Sequence, residues 1–257
     1  MSIYQHFREE ERAFVDQVLQ WKDDVSSRFI DRVTDFLDPR EQDIVRSVIG
    51  HDEDVRLSFW GGTRFSERKR AYLSPPYLES TEDVFALCLF QVDYPKKFVT
   101  LEHRDVLGAL MGLGIKREKF GDILMKDNLI QVVVAAEIAD FVEMNVESIG
   151  KAKARLQRIE ANEQLSIEEE WDEEVTTLSS LRLDVVLAEM YHLSRTKVTP
   201  FIQKKLVKVN WRTVEQPSFQ LDEGDYLSVR GLGRSKLLSI EGKTKKGKWR
   251  VSVGKRK

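Results

Sequence analysis

Between Ala161 and Ser180 the chain carries seven acidic side chains and neither a lysine nor an arginine. A stretch of that composition cannot close a core of its own, because its charges would have to leave water. Cores therefore have to form on either side of it. The two sides differ in charge. Residues 1–80 hold 12 basic and 16 acidic side chains, and residues 81–160 hold 11 and 13. Residues 181–257 hold 18 and 7, an excess of +11 in a chain whose net charge is −2. A near-neutral body with one strongly basic terminal segment is the charge distribution of a nucleic-acid-binding module carried by other domains. The stretch 161–180 itself reads as a solvated acidic linker. A sharper alternative is an acidic strand or clasp that guards the basic module until RNA displaces it.

At 257 residues, 41% of them hydrophobic, the chain has material for two or three compact units. No apolar run approaches the roughly 20 residues that span a bilayer. Met1-Ser2-Ile3-Tyr4-Gln5-His6 has neither a basic region nor an apolar one, so no secretory leader is expected. Cys88 is the single cysteine and lies in the apolar run 84–90. It suits a reducing cytosol, and the expected location is cytoplasmic.

The expected fold class is α+β, in three domains. In residues 1–78, apolar spacing predicts a helix over 9–23. Phe29, Ile30, Val33, Phe36 and Leu37 predict a second helix, stopped by Asp38-Pro39. Pro39 opens a third, closed by Gly50, and two strands follow at 55–60 and 70–73. Pro75-Pro76 marks the boundary. Residues 79–160 alternate as strand 84–92, helix 102–113, strand 122–125, a turn at Asp127-Asn128, strand 129–134, helix 136–145 and strand 153–159. That β-α-β-β-α-β order is ferredoxin-like, as in RRM-like domains. The rings that stack on bases in such domains are missing, since the third strand is aliphatic.

Residues 181–257 are more specific. A helix over 182–190 turns Leu183, Val186, Leu187 and Met190 inward, and Ser194 is placed to cap a second helix buried through Val198, Phe201 and Ile202. Strands are expected over 206–211, 217–221 and part of 222–230. The sets Arg182-Leu183-Asp184, Ser194-Arg195, Val207-Lys208-Val209-Asn210 and Gly224-Asp225-Tyr226-Leu227-Ser228-Val229 together resemble the S4-type RNA-binding domain. With Trp211 and Val229-Arg230-Gly231-Leu232-Gly233-Arg234, and with two smaller domains ahead, the whole chain resembles the bacterial YlmH family. That resemblance implies ribosome association, in particular with large subunits blocked by peptidyl-tRNA. One departure is Lys205, which stands where the S4-type domain usually has a glycine in its helix-to-strand turn.

Two short helices side by side can present Arg182, Arg195, Lys197, Lys204 and Lys205 on one surface, with Ser194 and Thr196 offering donors at a helix start. Lys208, Asn210, Arg230, Arg234 and Lys236 extend this expected RNA-binding set. Arg195 and Lys197 are both expected to face phosphate without being buried. The basic tail from Lys243 to Lys257 is either a flexible phosphate-binding arm or a hairpin with Trp249 in the core.

The expected partners are ribosomal RNA, the large ribosomal subunit and tRNA, with no membrane, small-molecule substrate, metal or cofactor. Pseudouridine synthases carry their catalytic aspartate in a Gly-Arg-Leu-Asp context, and here Arg182-Leu183-Asp184 lacks the glycine and opens the RNA module itself. Asp184 reads as helix and salt-bridge structure. Gly112-Leu113-Gly114 follows a helix and does not read as a dinucleotide turn. Four scattered histidines and one cysteine do not make a zinc site. The leading expectation is a noncatalytic RNA-binding factor. The alternative is an RNA-modifying enzyme with its site in residues 1–160.

Overall fold

The computed structural model describes residues 3–167 and 170–256. Met1, Ser2, Glu168, Glu169 and Lys257, on which parts of the sequence reading rest, lie outside them. The chain divides into two compact units, residues 1–167 and 168–257.

The first unit opens with α1 (Arg12–Arg28), which buries Val15, Val18, Trp21 and Val25 at helical spacing. It ends at Phe29, whose φ of 58° reverses the chain. Next come β1 (Arg32–Leu37), α2 (Pro39–Ile49), β2 (Arg56–Trp60) and β3 (Lys69–Ser74), with an antiparallel sheet in the order β1-β3-β2. Helix α2 starts where its sequence dictates. Asp38 accepts from the Glu41 N–H at 2.9 Å, Glu41 accepts from the Asp38 N–H at 2.7 Å, and Pro39 fills the first turn.

The helix expected over 29–37 is therefore a strand. The physical reason is that β1 is covered on both sides. Leu37 joins the core beneath α1 and α2, while Phe36 enters a second core with Leu89, Val133 and Ala135. Adjacent residues 36 and 37 point to opposite faces and are both buried, and a register shift between Val33 and Phe36 interrupts the alternation ahead of them. The period of two is lost, and the remaining spacing imitates a helix.

The middle of the chain runs β4 (Leu87–Asp93), α3 (His103–Gly112), β5 (Phe120–Lys126), β6 (Leu129–Ala135), α4 (Ala139–Asn145), the small hairpin β7 (Ser148–Ile149) and β8 (Ala152–Lys153), then β9 (Arg155–Ile159). The four long strands pair antiparallel in the order β5-β6-β4-β9, with the βαβ crossovers of a ferredoxin-like domain. Asp127 and Asn128, at φ 50° and 62°, make the tight β5–β6 turn.

Helices α3 and α4 bury one face of this sheet through Val106, Leu110, Ala139 and Val142. The other face is also covered. Phe36 lies against Leu89 and Val133, and Gln131, 2% exposed, donates to the Glu163 carbonyl at 3.0 Å and accepts from the Leu165 N–H at 2.7 Å. Asp122 accepts from the N–H groups of Glu67 and Arg68 at 2.7 and 3.0 Å. The expected boundary near residue 78 is thus no break in packing.

The second unit comprises β10 (Trp171–Leu178), α5 (Leu183–Met190), α6 (Arg195–Gln203), β11 (Val207–Val209), β12 (Arg212–Thr213), β13 (Tyr226–Val229), β14 (Gly233–Lys243) and β15 (Trp249–Arg256). One sheet runs in the order β10-β15-β14-β13-β11-β12. Helices α5 and α6 pack on one face through Leu183, Val186, Leu187, Val198 and Ile202, against Val207, Leu227, Val229, Leu237 and Val251.

The expected acidic linker and the strand expected at 217–221 are corrected here, and of the two readings of the basic tail the hairpin is the one found. Residues 171–178 of the anticipated acidic linker form edge strand β10, paired along its length with β15. Asp172, Glu173 and Glu174 stay exposed, and charge on an edge strand discourages further strand addition. The basic tail is the β14–β15 hairpin, with Trp249 packed on the core and Lys243 4.8 Å over its ring. Residues 217–221 form a loop with one bridge, Gln220 to Arg182. Its carbonyls serve α5: Phe219 and Pro217 accept from the N–H groups of Leu183 and Asp184 at 2.8 and 3.1 Å.

Candidate nucleic-acid interface

The start of α5 and the start of α6 meet at one carboxylate. Asp184 is 3% exposed, with Arg182 donating to its two oxygens from Nε and Nη2 at 3.0 and 3.1 Å. Arg195 donates to Oδ2 from Nε and Nη2 at 3.1 and 2.5 Å. Burial pushes the Asp184 carboxyl up, and the two guanidiniums more than offset it, leaving the group below its ordinary range. One buried anion thus fixes two forks and both helices, and the trio keeps an excess positive charge. The Arg182 and Arg195 side chains remain 37% and 57% exposed.

Arg195 is therefore not the free surface cation expected from the sequence. Ser194 stands at the N-cap position of α6, but its hydroxyl pairs with the Thr196 hydroxyl at 2.8 Å and makes no side-chain cap. First-turn N–H groups of a helix have no internal partner, so this end keeps donors for an anion. Lys197 is exposed beside it, and Lys204 is exposed at the other end of the same helix. Lys205 adopts φ 62°, so the lysine takes the left-handed turn that glycine usually fills. Its ammonium lies 3.3 Å from Glu215.

The remaining candidates do not share the helix surface. On β11, β13 and β14 the residues Val207, Val209, Leu227, Val229 and Leu237 turn toward the helices. Strand alternation then sends Lys208, Arg234 and Lys236 to the opposite face. The twelve expected residues split between two sides, with Arg230 exposed at the β13–β14 turn.

Asn210 is a structural residue of the hairpin turn, at φ 47°. Its side chain donates to Asp225 at 2.7 Å and accepts from the Tyr226 N–H at 2.8 Å, which occupies both ends of the amide. Sequence reasoning missed the aromatic group on this face. Trp211 stacks on Tyr226 with ring centroids 4.7 Å apart, Trp171 meets Tyr226 edge-on at 5.6 Å, and Arg234 sits 5.9 Å over the same ring. Trp171 was hidden from that reading by its place inside an acidic run.

Among the described residues, Lys197, Lys204, Lys208, Arg230 and Lys236 take part in no ion pair. No group of three or more described His, Cys, Asp or Glu side chains is placed to hold a metal ion. The arrangement is chemically suited to gripping phosphate: arginine forks held rigid by one buried carboxylate, with unpaired Lys197 beside them and further unpaired cations along α6 and on the other face of the sheet.

Residues 10–78 match a family model described as "YlmH, N-terminal", residues 80–163 match "Putative RNA-binding domain in YlmH", and residues 181–226 match "S4 domain". The sequence is 49% identical to "Ribosome-associated protein quality control protein P2" of Bacillus subtilis (strain 168) over 256 residues, covering 100% of this chain and 99% of the relative. Among solved structures it is similar to "Cell division protein ylmH from Streptococcus pneumoniae", at 27% identity and a TM-score of 0.55, over 64% of this chain and 100% of that one. With both YlmH-specific regions and the S4 domain in one chain, and near-complete coverage of a relative at this identity, the chain belongs to the YlmH family.

Proposed function

We propose that the chain is a noncatalytic RNA-binding factor of the cytoplasm that docks on ribosomal RNA of the large subunit and acts on particles blocked by peptidyl-tRNA. The observation that carries this reading is the Arg182–Asp184–Arg195 fork with unpaired Lys197 beside it, inside the region that matches the S4 domain, in a unit whose Lys204, Lys208, Arg230 and Lys236 also form no ion pair. The relative's name adds the ribosome and quality control. Asp184 supports a binding role in its own right. A buried carboxylate shared by two guanidiniums is poorly placed to attack or deprotonate a nucleobase. The factor acts by occupancy, since a ligand that prefers one state shifts its population by its differential affinity.

The test is to purify the protein with its bound particles. Large subunits carrying peptidyl-tRNA should be enriched over vacant ones, and the protein alone should leave that tRNA chemically unchanged. Equal recovery of vacant and occupied subunits removes the quality-control part, and turnover of the RNA restores the enzyme.

A further inference from the structure

The middle domain matches a putative RNA-binding domain, yet the sheet face on which RRM-like domains stack bases is closed by Phe36 and by the 163–165 segment bonded to Gln131. RNA contact by this domain has to use another surface. The strand order leaves one. At one end of the sheet lie the β4–α3 loop, the β5–β6 turn and the start of β9: Asp93 is paired with Arg155, and the Tyr94 hydroxyl donates to the Asn128 carbonyl at 3.1 Å.

That end gathers Lys96 and Lys97 in the loop, Lys126 at the turn, and Lys153 and Arg155 beside it, all exposed. Among the described residues none of the five forms an ion pair, although Asp93 and Asp127 lie close by in the chain. Next to Lys97 in the same loop, Phe98 is 87% exposed, the highest value of any large hydrophobic side chain described. The opposite end of the domain carries Asp140 and Glu143, paired to Arg158, and Glu137, paired to Arg70 and Lys119. Among the described residues of this domain, the exposed cations without an ion pair gather mostly at the Phe98 end, with Lys116 apart from them before β5.

A bare ring flanked by unpaired lysines fits an unpaired nucleotide, with the base on the ring and the neighbouring phosphates on the ammonium groups. A protein partner would gain little from so many unpaired cations around one ring, because desolvating charge without a partner is unfavourable. We propose that the Lys96-Lys97-Phe98 loop and its neighbours form a second RNA contact, specific for an unpaired base. It rests on the RNA-binding reading above and adds a surface to it.

The test uses the full chain, a hairpin RNA with an oligouridine loop, and a blunt, fully paired duplex of the same length. Phe98→Ala should bind the hairpin about 10-fold more weakly and the duplex as well as the parent does. Phe98→Tyr, which keeps the ring, should bind both like the parent. Lys96→Ala with Lys97→Ala should lower the hairpin's log–log salt slope by about 1.4. A C-terminal variant, Lys197→Glu with Lys204→Glu, is measured in parallel. If it alone weakens binding, the second contact is overturned and the C-terminal reading stands. Equal losses on hairpin and duplex for Phe98→Ala, or a Phe98→Tyr as weak as Phe98→Ala, overturn the stacking. Unchanged RNA affinity with lost sedimentation on large subunits assigns the loop to a protein and also overturns it. If the parent binds neither RNA, both readings fall.

Discussion

Asp184 is the residue on which the C-terminal module turns. Removing one partner of a buried ion pair costs about 3–5 kcal/mol when both groups are buried, and less here because the arginines keep contact with water. Asp184→Asn should destabilise the second unit by about 2 kcal/mol, read by chemical denaturation. The sign of the pH effect follows from the lowered carboxyl. The stabilisation is present above the unfolded value of about 3.9 and is lost as pH falls through the folded one, and Asp184→Asn should lack that acid-side loss. Arg195→Ala and Lys197→Ala separate structure from contact. The first should lower the melting temperature by several degrees, while the second should leave stability within about 0.5 kcal/mol and weaken RNA binding. The sequence shows both as cations. It does not show that one is tied to a buried anion eleven residues away. Lys205 offers a further residue-scale check: Lys205→Gly removes a strained φ of 62° and a surface pair, so stability should stay level or rise by up to about 1 kcal/mol, whereas Lys205→Val should fall.

At the scale of elements, those with one dry face and one wet face were legible in the sequence. Helix α2 announces itself by Asp38, Pro39, Glu41 and Gly50, and the β5–β6 turn by Asp127-Asn128. The elements misread are those whose surroundings come from distant parts of the chain. Strand β1 is apolar on both sides because Phe36 serves the neighbouring sheet. Strand β10 reads as linker because its acidic residues report solvent, while its backbone is satisfied by β15, some eighty residues later. The missing base-stacking rings of the middle sheet likewise have a structural counterpart, since that face is packed and not bare. Gly121 tests this packing. A Cβ there would lie 2.7 Å from the Phe36 ring and 3.1 Å from Val133. Gly121→Ala should therefore cost about 1–3 kcal/mol, seen as a lower unfolding midpoint, while RNA affinity below that midpoint stays unchanged.

For the whole molecule, net charge conceals the feature that matters. A chain at −2 carries +11 in its last 77 residues, and the strand structure of that segment sends the charge to two opposite sides of one small sheet. The charge step was legible from the sequence; its division between helix side and sheet side was not, because strand register decides it. The most direct test of the account is the salt dependence of full-chain binding to purified large ribosomal subunits. If about six phosphates are neutralised, log affinity against log salt should slope by about −4 to −5. Replacing Lys197, Lys204, Lys208 and Arg230 by alanine together should make that slope shallower by about 3 to 4, with the melting temperature preserved. An unchanged slope and affinity in that variant would contradict the assignment of RNA binding to residues 181–257.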